Sequence, residues 1–191
     1  MKLKKTVYGL YDASRSWYFA VKEQLVSFGM KSVSGDDAYF SMVKNGELFG
    51  MTVLHVDTFL VAGSQEFLNM ISTKLKDRFT FGKTELAKFK FTGLNIEKTQ
   101  EGIYVDQIQY IHSIQSISSH RMDSQDDVNL NKMEMKAYRS LTGQLNWAAE
   151  STRPDLAFDI RHLATRNKCA KISDIKKANK ILKKPNMKTL G

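Results

Sequence analysis

The stretch DDAYFSMVKNGELFGMTVLHVDTFLVAG, Asp36 to Gly63, constrains the fold more than any other part of the chain. Asn45-Gly46 is the dipeptide that two-residue hairpin loops favour, because both of its residues accept positive φ, and strand-like runs flank it on either side. Further on, Thr52-Val53-Leu54 and Phe59-Leu60-Val61 are again β-prone, with a polar break between them. The pattern predicts antiparallel hairpins, with Asp57 at the tip of the second. A carboxylate placed between two such apolar runs either makes a turn or holds a metal.

Around this sheet the periodicity changes. Trp17, Val21, Leu25 and Phe28 repeat at helical spacing before Gly29, which predicts a helix over 14–28 stopped by the glycine. Ser64 reads as an N-cap for a helix carrying Leu68, Ile71 and Leu75. Phe89–Lys98 and Gly102–Asp106 read as a strand pair, and Ile111, Ile114 and Ile117 as a short helix. The polar stretch Ser118–Lys136 reads as a connector. Beyond it the pattern is helical over 137–149, 154–167 and 173–184, with Thr152 and Asp155 spaced like a capping box. The expected class is α+β, strands and helices first and a helical segment last.

The charge is unevenly placed. The 191 residues hold 29 Lys+Arg against 20 Asp+Glu, a net +9, yet from Arg153 onward there are 11 basic residues and only 3 acidic ones. A basic face of this kind points to a polyanion, and nucleic acid precedes membrane because no apolar stripe with aromatic anchors accompanies it. The candidate phosphate contacts are Lys176, Lys177, Lys180, Lys183 and Lys184, with Lys4 and Lys5 near the start and Arg15 on the first helix. A solvated lysine face is the plainer alternative. No apolar run reaches the ~20 residues of a bilayer span, which leads to the expectation of a soluble intracellular chain, cytoplasmic or nuclear and not secreted. The single Cys169 excludes an internal disulfide and, with four scattered histidines, argues against structural zinc. Asp36-Asp37 reads first as a turn or cap and second as metal ligands, and Asp126-Asp127 as solvated. His55 beside Asp57 falls short of a metal set, and no glycine-rich phosphate loop, His-Glu-x-x-His motif or serine elbow is present.

Four blocks in order carry a resemblance. LKKTVYGLYDASRSWY (Leu3–Tyr18), LHVDTFLVAGS (Leu54–Ser64), FTGLNIEKTQEGIYVDQIQYI (Phe91–Ile111) and YRSLTGQLNWAAESTRPDLAF (Tyr138–Phe158) resemble the reverse transcriptase of Ty1/copia-type retrotransposon Pol polyproteins. The second block resembles that family's Tyr-Val-Asp-Asp polymerase hairpin. The resemblance runs from about Leu3 to Leu182.

It implies a partial right-hand polymerase palm over 1–118, an antiparallel sheet with packed helices, then a polar connector over 119–136 and an all-helical, basic thumb or connection segment over 137–191. It implies Mg²⁺ as cofactor, an RNA/DNA duplex or primer-template as partner, and the rest of a Pol polyprotein as a further partner. It also exposes departures. Nucleotidyl transfer by two metals needs several converging carboxylates. The early palm aspartate is expected to precede this chain, and the hairpin pair stands here as Asp57-Thr58, with His55 at the family's tyrosine. Threonine is neutral and a poor Mg²⁺ ligand. Asp12 and Ser14 replace a glutamine and a proline, and a carboxylate at Asp12 would repel a triphosphate. Asp57 is therefore the one catalytic and metal-ligand candidate, in an incomplete site. The reading is a reverse transcriptase fragment without polymerase activity of its own, or a nucleic-acid-binding module of the same origin.

Overall fold

The computed structural model describes residues 13–123 and 126–184. They fall into two compact units, the first ending at Thr84 and the second beginning at Glu85.

In the first unit, helix α1 (Ala13–Ser27) precedes strands β1 (Lys31–Val33), β2 (Asp36–Lys44), β3 (Glu47–His55) and β4 (Thr58–Gly63), and helix α2 (Gln65–Arg78) follows. The strands form one antiparallel sheet in the order β1-β2-β3-β4. Helix α1 ends as expected at Gly29, whose φ of 92° closes a Schellman turn: the Met30 amide donates to the Leu25 carbonyl at 3.1 Å and the Gly29 amide to Val26 at 2.9 Å. Asn45 and Gly46, at φ 54° and 84°, form the two-residue loop between β2 and β3. Ser64 caps α2 by accepting from the Phe67 amide. The core of this unit is Val21, Leu25, Met30, Phe40, Leu54, Phe67, Ile71 and Leu75. Phe40 pairs with Thr52 across the ladder, and Thr52 and Leu54 share its face. Tyr39, Val53 and Leu60 alternate onto the opposite face and are half-buried.

The second unit opens with a separate three-stranded antiparallel sheet of β5 (Lys88–Phe91), β6 (Leu94–Lys98) and β7 (Ile103–Asp106). The single strand expected over 89–98 is thus itself a hairpin. Thr92 and Gly93 both have positive φ, 49° and 86°, and turn the chain back where the apolar content masks the break. Helix α3 (Ile108–Ser113) buries Ile111, while Ile114 caps its end in an extended conformation and Ile117 lies beyond it, outside any helix.

Three helices complete the unit: α4 (Lys132–Ser151), α5 (Ala157–Thr165) and α6 (Ile172–Leu182). Helix α4 begins five residues before the expected Ala137, inside the polar stretch. Asn131 accepts from the Met133 and Glu134 amides and Glu134 returns a bond to the Asn131 amide, a complete capping box. The box expected at Thr152 and Asp155 does not form. Thr152 ends α4 and donates to the Gln107 Oε1 at 2.9 Å, and Asp155 instead accepts from the Arg153 Nε and Nη2 at 2.8 and 2.7 Å. The core joins Ile111, Ile114, Tyr138, Leu141, Leu145, Ile160, Leu163, Ile175 and Ile181. Tyr138 is wholly buried and its hydroxyl donates to the Leu163 carbonyl at 2.7 Å. The α+β expectation holds in its coarse form: two antiparallel sheets followed by a helical segment.

Candidate active-site hairpin and basic helix

The ladder between β3 and β4 closes at His55 and Thr58, leaving Val56-Asp57 as the loop. Val56 has φ 54°, a region that a β-branched residue rarely enters, since its Cβ crowds the following carbonyl. The tip is held by α1: the Trp17 indole Nε1 donates to the Val56 carbonyl at 2.9 Å. Trp17 in turn meets Phe79 edge-on at 4.9 Å and Phe59 at 6.4 Å, and Phe59 meets Phe81 at 5.5 Å. Trp17, the first residue of the apolar repeat of α1, is half-buried against the core and braces the strained tip. Val56→Gly is expected to raise the unfolding free energy of the chain by about 1 kcal/mol, read by urea titration, because glycine relieves the left-handed strain. An unchanged or lower value would mean that Val56 is not strained.

Asp57 itself is exposed, and the Thr58 hydroxyl donates to its Oδ1 at 3.3 Å. The Asp36 carboxylate accepts from the Ala38 amide at 2.9 Å, an Asx turn at the start of β2, as its turn reading anticipates. Among the described residues no three His, Cys, Asp or Glu side chains come together as a metal set. Asp57 with a neutral threonine beside it does not make the donor set that two divalent ions require, so the described residues do not fit the metal pair that the family implies.

Lys4, Lys5 and Asp12 lie outside the described residues. Arg15 is exposed, with its guanidinium 5.6 Å from the Phe19 ring. The lysines of α6 and its end all face solvent, but most are not unpaired. Lys176 meets Asp126 at 2.6 Å, Lys177 meets Asp174 at 3.8 Å and Lys184 meets Asp159 at 2.9 Å. Lys180 and Lys183 have no carboxylate partner among the described residues. Asp126-Asp127, expected to be solvated, therefore neutralises part of the basic face, with Asp127 ion-paired to Lys171. The hydrogen bond from Lys171, reinforced by its charge, holds the Asp127 carboxyl below the ordinary aspartate range.

A feature that periodicity did not disclose is a cleft of about 530 Å³ lined by Arg139, Gly143 and Asn146 of α4 and Arg161 and Thr165 of α5. Gly143 sits in the middle of a helix with open space where a Cβ would point. Such a glycine is the signal that was available in LTGQLNW, since it costs a helix about 1 kcal/mol relative to alanine. Arg139 donates from Nε to the Asn167 carbonyl at 2.7 Å, and Arg161 pairs with Glu150 at 2.7 Å. The cleft thus presents guanidinium and carboxamide groups together.

Comparison with known proteins places these features in a family. Residues 1–128 match the family described as reverse transcriptase (RNA-dependent DNA polymerase). Two curated relatives, the retrovirus-related Pol polyproteins from transposons RE1 and RE2 of Arabidopsis thaliana, are each 24% identical over 178 residues. Those alignments cover 85% of this chain and 12% of each polyprotein, so the chain spans about an eighth of the length of the curated relatives it matches. No solved structure matches significantly. With its family model covering well over half of the 191 residues, the chain belongs to the reverse transcriptase family and is distantly similar to copia-type retrotransposon Pol polyproteins.

Proposed function

We propose that this chain is a reverse transcriptase segment that grips a primer-template without extending it alone. The first unit and the small second sheet correspond to palm, and the helices from α4 onward to a thumb or connection. The observation that carries the reading is the hairpin tip, where Asp57 stands exposed with Thr58 in the position of a second carboxylate. The grip is supported by the two arginines of the α4–α5 cleft and by the lysines of α6. Guanidinium and ammonium groups take phosphate oxygens irrespective of base, so binding should be weakly sequence-dependent and steeply salt-dependent. Asp57 is the remnant of a metal-binding pair, and the natural partner for completing the site is the remainder of a Pol polyprotein. Such a protein would act inside the cell, on RNA or DNA.

The test is fluorescence anisotropy of a labelled RNA–DNA duplex across a salt series. The expected result is saturable binding whose affinity falls linearly on log axes. Reversing the charge of Arg139 and Arg161 together should weaken it at least tenfold at low salt, for roughly two lost phosphate contacts. Binding that ignores salt, or no binding, would contradict the grip.

A further inference from the structure

The exposed arc of α6 has an order that the lysine count alone does not reveal. With about 3.6 residues per turn, the buried side chains Ile172, Ile175, Ala178 and Ile181 define the inward face and place Lys180 near the middle of the outward arc. Lys176 and Lys183 lie on one side of that midline, Lys177 and Lys184 on the other. The carboxylates arrive from both sides. Asp126 and Asp127 are brought by the connector, whose backbone is tied to the start of α6: the Ser173 amide donates to the Asp126 carbonyl at 3.1 Å, and the Ile172 amide to Val128 at 3.0 Å. Asp159 comes from α5 and takes Lys184.

All three aspartates are charge-matched to lysines that would otherwise face a ligand. Each occupies an ammonium as a phosphate oxygen would, and each adds repulsion toward an approaching polyanion.

We infer that the outward arc of α6 is a polyanion surface held partly closed by the protein's own carboxylates, with Asp126, Asp127 and Asp159 standing where phosphates would bind. The inference rests on the nucleic-acid reading above. Lys180 and Lys183 form the open part, and Lys171, Lys176 and Lys184 join only when a ligand or a substitution displaces their partners. The pairs are exposed, so each is weak enough for a duplex to break, yet together they set the affinity.

The experiment compares the full chain with the variant Asp126→Asn/Asp127→Asn/Asp159→Asn in duplex anisotropy over a salt series. Freeing three lysines is expected to tighten binding about tenfold at low salt and to steepen the slope of log affinity against log salt by about 2.7. An equal charge change in the first unit, Glu23→Gln/Glu47→Gln/Asp77→Asn, should tighten it less than threefold. Lys176→Gln should matter little in the parent chain and should remove about a third of the slope gain in the triple variant. A triple variant that binds like the parent, or a control that gains as much, overturns the inference while leaving the grip intact. If neither chain binds duplex, the nucleic-acid reading fails and the inference falls with it.

Discussion

Gly50→Ala is expected to remove about 3 kcal/mol or more of stability, the size of losing a buried phenylalanine, and so to unfold much of a chain of ordinary marginal stability. Gly50 lies opposite Gly63 in the β3–β4 ladder, and the ring of Phe67 rests on the pair. A Cβ at Gly50 would stand 2.1 Å from the Phe67 Cδ1. The ring cannot step aside cheaply, because Phe67 is completely buried and its amide is tied to the Ser64 hydroxyl at 3.1 Å. Urea unfolding of the variant checks this, and Phe67→Leu should recover part of the loss through non-additivity. A change within about 0.5 kcal/mol, the range of an ordinary surface substitution, would mean that the ring does not sit there.

Glu134→Ala is expected to cost about 3 kcal/mol at neutral pH, because it removes the Glu134 half of the α4 capping box and the carboxylate that the partly buried Arg121 guanidinium pairs with. The carboxylate is 7% exposed; Oε1 accepts from the Ser119 hydroxyl at 2.7 Å, and Oε2 accepts from the Arg121 Nη1 at 2.7 Å and the Asn131 amide at 2.9 Å. Burial alone would raise its pKa, but the Asn131 amide, the Ser119 hydroxyl and the Arg121 charge outweigh it, so the net shift is downward. A folded pKa below the unfolded one gives stability that is present above the unfolded value and lost as pH falls through the folded one. The parent should therefore lose its advantage over Glu134→Gln below about pH 4, where an ordinary glutamate also titrates. A difference between the two that stays constant with pH would show that the charge does not contribute.

Features written in local sequence were legible. Asn45-Gly46, Ser64 and Gly29 each mark a turn or cap through their own backbone chemistry, and the helical apolar repeats of α2 and α6 follow from burial of one face. The hairpin within 89–98 is hidden in the sequence because Thr92-Gly93 carries the turn with a residue that rarely takes positive φ. The start of α4 hid in a polar stretch, although Asn131 and Glu134 have capping-box spacing. The partners of the α6 lysines were out of reach for a different reason. Asp126 and Lys176 are 50 residues apart, and only the tertiary arrangement brings them to 2.6 Å. Gly50 and Gly63 belong to the same kind: nothing local says that a phenylalanine ring will need the space that two missing side chains leave.

The candidate site was legible mainly through its resemblance to a family, and the structure adds what surrounds it. Asp57 stands at a tip where the Trp17 indole braces a strained Val56. A tip with a single carboxylate can orient one ligand atom, whereas in-line transfer asks for two ions held by several acids. The proposed grip would need less, since phosphate contacts are individually weak and add up over a surface.

The most direct test is a primer-extension reaction with the purified chain, a primed RNA template, deoxynucleotides and either Mg²⁺ or Mn²⁺, run beside Asp57→Ala. A primer that is bound but unchanged in length with both chains is the expected result. Metal-dependent extension by the parent that disappears in Asp57→Ala would contradict it, and would mean that Asp57 still completes a working site.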